Sequence, residues 1–289
     1  MNMEFQKQQL VDSIAFVKKQ SVAQLKHQAE IQAQEKQRNV IIASLGMVLL
    51  IAGGLWYRLN FVRKAQETLK IEKDRSEALL LNILPEEIAE ELKATGSVKA
   101  KDFGLVSILF TDFQSFTQTA EKMSPQRLVE EINVCFEAFD RISDKYQIEK
   151  IKTIGDAYMA AGGMANADEN TPKNAVLAGL DMQAFIAQRA LENQQAQKPY
   201  FEMRLGIHAG PIVAGIVGVK KFQYDIWGDT VNTASRMESN GAVGKVNISE
   251  AFYELIKDDP RFSFEYRGNI SVKGKGEINM YFVEKNLSC

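Results

Sequence analysis

The spacing of apolar and polar positions divides the chain into two regimes. From Met1 to Asn39 the sequence is polar and rich in Gln, Lys and Glu, with Leu10, Ile14, Val17, Val22 and Leu25 at roughly helical spacing, which predicts a solvated helix. Val40 to Tyr57 (VIIASLGMVLLIAGGLWY) is a run of 18 residues without a charge, close to the roughly 20 that a bilayer-spanning helix needs. Trp56 and Tyr57 stand where interfacial aromatics gather. Arg58, Arg63 and Lys64 follow at once and favour a cytoplasmic C-terminal side, against Lys36 and Arg38 on the other flank. Phe61 to Thr95 reads as a charged helical stretch with Leu69, Ile71, Leu79, Leu80, Ile83 and Leu84 as its apolar positions, broken or restarted at Pro85 and closed by Gly96. Its repeat is too brief to specify a coiled coil.

After Lys101 strands and helices alternate. Leu105 to Phe110 (LVSILF) is a continuous apolar run suited to a buried strand. A helix is expected from Ser124, with Pro125 in its first turn and Leu128, Ile132, Phe136, Phe139 and Ile142 on one face. Ile148 to Ala161 reads as two strands around a turn at Gly155; a second helix starts near Thr171-Pro172 and runs to about Gln197, and Phe201 to His208 forms another strand. This order predicts an α/β (α+β) fold with a ferredoxin-like βαββαβ core, its helices on one face of an antiparallel sheet. Gly210 to Lys285 adds strands and two short helices. The expected domains are a polar helical segment (1–39), a transmembrane helix (40–59), a helical linker (60–99) and an α/β domain (100–285).

Composition sharpens this picture without changing it. A chain of 289 residues suffices for one ordinary domain and a long appendage. Apolar residues make up 45% and charged residues 25%, and the formal charge of -2 argues against a generalised grip on nucleic acid. The two cysteines, Cys135 and Cys289, lie far apart and outside any metal-binding spacing, so neither a disulfide framework nor a structural zinc site is expected. Cys135 shares a helix with Ile132 and Phe136 and reads as a buried, inert thiol. His208, between Ile207 and Ala209, reads as a packed structural residue rather than a base. His27 has no evident role.

Two constellations carry candidate chemistry. Asp112 ends an apolar strand in FTDFQSFT, and Asp156 follows the turn glycine in KIKTIGDAYM. Carboxylates at the ends of adjacent strands suit divalent cations, and Mg²⁺ favours such ligands together with substrate phosphates. The small and polar residues after Asp112 lead into a helix start whose free N–H groups suit a triphosphate. Aspartates at strand ends are more often turn-formers or caps, so the pair alone proves little. In KFQYDIWGDTVNTASRM, Asn232 and Arg236 are four apart and share one face of a predicted helix. An Arg aimed at a phosphoryl group stabilises charge there, and an Asn fixes a ribose. The spacing fits a solvated helix capped by Asp229 or Thr230 equally well.

The segments FTDF, EKIKTIGDAYMAAGG, MRLGIHAGP, YDIWGDTVNTASRME and SVKGKGE occur in the order, and near the spacing, of class III nucleotidyl cyclases. The chain resembles that family from Lys101 to Val283. LLLNILPEEIAEEL looks like the transducer element that often precedes these domains, and Met1 to Asn60 is not covered. The resemblance implies that Asp112 and Asp156, with the backbone carbonyl of Phe113, bind two Mg²⁺ ions, for which Mn²⁺ can substitute. It implies that Lys152 and Asp225 select adenine, a role the chemistry allows: a Lys donates to N1, while a carboxylate accepts from the exocyclic amine. Guanylate cyclases of this class usually hold Glu and Cys at these positions. Asn232 and Arg236 match the ribose-orienting and transition-state residues, and Arg204 and Lys273 the phosphate-binding ones, with Lys275 close to Lys273.

The implied reaction converts ATP to 3',5'-cyclic AMP and pyrophosphate by attack of the ribose 3'-oxygen on the α-phosphate. Sites of this family form between two catalytic domains, and this single domain holds both sets of residues. A homodimer with two equivalent sites is therefore expected, in a single-pass cell-membrane protein with a cytoplasmic catalytic domain. The short polar segment before Val40 is expected to end a larger sensor outside this chain. A guanylate cyclase requires Lys152 and Asp225 to be misassigned. An inactive signalling or dimerisation module is disfavoured because every expected polar residue is present. A palm polymerase or diguanylate cyclase leaves the Asn232/Arg236 helix unexplained, and there is no GGDEF-like run.

Overall fold

No proline precedes Pro85, and the polar first segment, the apolar run and the charged stretch behind it join in one helix. In the computed structural model, which describes residues 2–81, 83–165, 167–218, 222–272 and 274–286, this helix, α1, spans Asn2–Leu81. It contains an 18-residue window of mean hydropathy 2.1, none of it buried, and is long and apolar enough to cross a membrane. The chain divides into two compact units, Met1–Asn82 and Ile83–Cys289. The second begins with α2 (Glu86–Thr95), which starts at Pro85, buries Ile88 and Ala89, and closes on Gly96 in the left-handed conformation (φ 73°). α2 falls within the span read as linker, yet it belongs to the same unit as the sheet.

The sheet unit continues through β1 (Lys101–Phe113), α3 (Phe116–Ala120), α4 (Pro125–Lys145), β2 (Glu149–Ile154), β3 (Ala157–Gly162), α5 (Thr171–Gln195) and β4 (Met203–Val217). Sheet order β2-β3-β1-β4 with antiparallel neighbours is the ferredoxin-like arrangement. Ser124 caps α4, its side chain accepting from Arg127 N at 3.3 Å. β5 (Gln223–Trp227), α6 (Asp229–Ser239), β6 (Val246–Ser249), α7 (Glu250–Ile256), β7 (Phe262–Val272) and β8 (Gly276–Lys285) follow. They extend the sheet past β4 in the order β6-β8-β7, with β5 pairing β4 alone.

Two features depart from the sequence reading. The helix start read after Asp112 is only the short α3, Phe116–Ala120, and β4 runs on well past His208. Gly210-Pro211 looks like a strand end, because proline cannot donate to a ladder. The register, however, slips between Phe103↔Ile212 and Val106↔Gly210, so Pro211 sits where β1 bulges and no partner needs its N–H.

The two faces of the sheet differ. Met203, Leu205 and Ile207 of β4 are fully buried in the main core with Phe139 of α4 and Val176, Ala178 and Met182 of α5. On the other face, where Arg204, Gly206, His208 and Gly210 alternate with them, lies α6. A Cβ at Gly206 would stand 1.9 Å from Glu238 N, and one at Gly210 would stand 2.6 Å from Thr230 Oγ1. From Gly206 to Gly210 the strand advances about 13 Å, and from Thr230 to Glu238 the helix advances about 12 Å. The two glycines are thus matched to the length of α6, which lies antiparallel along β4. Thr230 Oγ1 donates to Pro211 O (2.6 Å) and Asn247 Nδ2 to Met237 O (2.7 Å), pinning both ends.

Gly206→Ala is expected to destabilise the unit by about 3 kcal/mol, because backbone atoms of α6 must shift. Gly104→Ala, with open space around its Cβ, should change stability by less than about 1 kcal/mol. Urea unfolding of the two variants checks this; equal midpoints would refute the seating of α6.

Candidate active site

Asp112 lies at the penultimate position of β1, directly opposite Arg204 near the start of β4. Arg204 Nη2 donates to Asp112 Oδ2 at 2.8 Å. Phe113 beside it is 2% exposed, and its ring stacks on Phe201 at 4.6 Å between centroids, which anchors the strand end. Asp156 follows Gly155, whose φ of 64° makes the tight β2–β3 turn. Its carboxylate accepts from the backbone N–H groups of Phe113 and of its own residue. Burial, and then repulsion from Asp112, push its pKa above the ordinary carboxylate value. The two aspartates expected to act together are therefore neighbours.

A third carboxylate joins them, which the sequence reading missed. Glu238, near the C-terminal end of α6, is buried and stands with Oε1 3.0 Å from Arg204 Nε, at angles outside those of a hydrogen bond. Burial raises its pKa to about 7; Arg204 opposes this, while Asp112 and Asp156 add to it. One guanidinium thus faces two carboxylates, Asp112 and Glu238, with Asp156 a third charge nearby. The signal for Glu238 was its helical position, since it shares the inward face of α6 with Ala234 and Met237.

A second group lies elsewhere. Lys152 sits just past a bulge in the β2–β3 ladder, and its Nζ donates to Asp225 Oδ2 at 2.5 Å. The backbone N–H of Ile226 donates to Asp225 Oδ1 at 2.9 Å. Both side chains are mostly shielded, at 25% and 11% exposure. Asp225 belongs to β5 and pairs with Gly215, whereas Arg204 is at the opposite end of β4.

Asn232 and Arg236 share a face of α6, Asn232 exposed and Arg236 half-buried. Among the described residues neither side chain has a polar partner. At 100° per residue, Arg236 and Glu238 point about 200° apart. The helix that turns Glu238 toward Arg204 therefore turns Arg236 away from the aspartates. Lys273 lies outside the described residues. Lys275 forms an ion pair with Asp229 at the start of α6.

The aspartate group suits a divalent cation. Asp112 and Asp156 bring two carboxylates against the single guanidinium of Arg204, and repulsion from Asp112 adds to burial in raising the Asp156 pKa, so a cation would relieve the repulsion. Among the described residues no group of three or more His, Cys, Asp or Glu is arranged to hold a metal. The remaining ligands must then be backbone, water or phosphate oxygens, which matches the habit of Mg²⁺.

Residues 98–285 match the family model for the adenylate and guanylate cyclase catalytic domain. The chain belongs to this family, the class III nucleotidyl cyclases. An adenylate cyclase of Mycobacterium tuberculosis is 38% identical over 230 residues, covering 79% of this chain and 51% of that protein. The guanylate cyclase soluble subunit beta-2 of Rattus norvegicus is also 38% identical, over 228 residues, covering 79% of this chain and 33% of that protein. The chain spans about half the length of the mycobacterial relative or less of the others. The crystal structure of a guanylate cyclase domain from Catenaria anguillulae in complex with GTP superposes with a TM-score of 0.60 at 30% identity, covering 64% of this chain and 99% of that one. Cyclases of both substrate types are thus equally similar, and overall likeness does not choose the base.

Two further residues of the cyclase domain bear out their structural reading. Cys135 is 1% exposed and burial pushes its pKa up to about 12, so it is an unreactive thiol. His208 Nδ1 lies 2.6 Å from Ser249 Oγ, and burial, then Lys275, lower its pKa to about 4. Its depressed value favours the neutral ring in the folded state, so its stabilising contribution is complete above pH 6.5 and is lost as pH falls through about 4. Thermal melts between these values should show the wild type losing stability relative to its neutral-pH value more steeply than His208→Gln. Parallel curves would refute the assignment.

Proposed function

We propose that this chain is an adenylate cyclase that converts ATP to 3',5'-cyclic AMP and pyrophosphate, with each site completed by a second copy of the chain. The Lys152–Asp225 pair carries this reading. An ammonium and a carboxylate held 2.5 Å apart, with Asp225 fixed from behind by the Ile226 N–H, present a donor and an acceptor side by side. Adenine offers the complementary acceptor at N1 and donor at its exocyclic amine; guanine offers the reverse and would meet like against like at both atoms.

The other roles follow from placement. Asp112, Asp156 and the carbonyl of Phe113 would hold two Mg²⁺, or Mn²⁺ in their place. When bound, such ions lower the pKa of the attacking 3'-hydroxyl and neutralise the departing pyrophosphate. Arg204, next to Asp112, and Lys273 bind the β- and γ-phosphates. Asn232 orients the ribose, and Arg236 meets the charge that develops on the α-phosphoryl group. Among the described residues no side chain stands out as a general base, a role left to water or substrate, and His208 is committed to Ser249. Since Arg236 points away from its own aspartates, the proposed catalytic residues converge only if Asn232 and Arg236 come from one chain and Asp112 and Asp156 from another. The apolar stretch of α1 would anchor the chain as a single-pass membrane protein with its catalytic domain in the cytoplasm, which places two such domains near each other.

The full chain in detergent with Mg²⁺ or Mn²⁺ should form cyclic AMP from ATP and little cyclic GMP from GTP; preferential use of GTP would make it a guanylate cyclase, and no product from either an inactive module. Asp112→Ala and Arg236→Ala chains, each expected to be at least about 100-fold down alone, should recover activity when mixed. Absence of recovery would count against a shared site.

A further inference from the structure

Glu238 has no place in the proposed reaction, yet it is buried against Arg204, which does. Its Oε1 and the Nε of Arg204 are 3.0 Å apart, and both atoms lack a hydrogen bond among the described residues. Arg204 commits Nη2 to Asp112. A guanidinium has five N–H donors in a fixed fork, so a carboxylate at Nε leaves the terminal nitrogens free to exchange one anion for another. α6 does not need Glu238 as an anchor, because Thr230, the Met237 carbonyl and the glycine seat already fix it on β4.

We propose that Glu238 is a positioning residue for Arg204. It rides on the helix that carries Asn232 and Arg236, yet serves the half-site of its own chain's aspartates. By holding Nε it keeps the guanidinium at the sheet while the terminal nitrogens pass from Asp112 to the triphosphate. The inference rests on the reading of Arg204 as a phosphate ligand. One consequence is that each α6 takes part in both sites of a dimer: Arg236 reaches one and Glu238 supports the other.

Three measurements on the full chain test this. The first is calorimetric titration with inorganic tripolyphosphate, which requires neither base nor turnover. Glu238→Gln should weaken binding about tenfold with an unchanged melting temperature, and Glu238→Asp should recover part of it; unchanged binding overturns the proposal. The second is a cycle with Arg204→Gln. Glu238→Gln should raise KM for ATP about tenfold while kcat falls far less, and should add nothing once Arg204 is gone; additive losses overturn the proposal. The third places Glu238→Gln in one chain of the mixed Asp112→Ala and Arg236→Ala pair. Recovered activity should fall when it sits in the Arg236→Ala chain, which supplies the aspartates, and not when it sits in the other; the reverse overturns the proposal. If the mixed pair shows no recovery even with Glu238 intact, the shared-site reading fails, and the titration and the cycle still decide the role of Glu238.

Discussion

Like charges crowded around a single guanidinium set the terms for the catalytic unit. Asp112 and Glu238 stand against Arg204, with Asp156 close enough to repel both, and the protein must hold them there against mutual repulsion and against burial. Strand pairing does this for Asp112, which faces Arg204 across an antiparallel ladder. Backbone N–H groups do it for Asp156, and helix seating does it for Glu238. Each restraint comes from backbone, whose position is fixed by the sheet. In the proposed reading this crowding of carboxylates is what would make the corner receptive to cations, with Arg204 supplying only part of the countercharge.

The seating of α6 depends on what β4 omits. Glycine at 206 and 210 strips one face of the strand, so a helix can lie on it at backbone distance. The same strand keeps large apolar residues on its other face, where α4 and α5 build the core. One strand therefore serves as the inner wall of the core and as the bed for α6. Close packing makes α6 rigid, and rigidity fixes the directions of its two sets of polar residues. Asn232 and Arg236 look outward and Glu238 looks inward, because a helix separates positions two apart by more than half a turn.

In the proposed reading, choice of nucleotide base is confined to a small part of the surface. Relatives acting on either base match the chain at the same 38% identity, so the fold and most of its motifs are common property. In the proposed adenylate cyclase, discrimination falls to Lys152 and Asp225, whose ion pair is sheltered enough for an unpaired donor or acceptor to be costly. The pair is assembled from β2 and β5, which are not neighbours in the sheet, so it depends on the long β4 reaching past Pro211 to carry β5.

Much of this was legible in the sequence, for physical reasons that can be named. The period-3.6 pattern and Ser124-Pro125 located α4, the apolar run LVSILF located β1, and Gly155 located the turn before Asp156, since these signals are local and backbone-determined. The membrane-competent stretch was equally plain, being a matter of length and composition. The ordered motifs identified the family and with it every proposed ligand. What sequence left open was set by contacts between distant segments. The length of β4 was hidden because Pro211 is harmless only opposite a bulge in β1. The inward direction of Glu238 was visible as a helical position, but its partner was not, because Arg204 reaches it only through the stripped face of β4. Local spacing determined the elements and the roster of charged residues; the tertiary structure alone decided which charges meet, because electrostatic pairing depends on distances that only the packed sheet and helix fix.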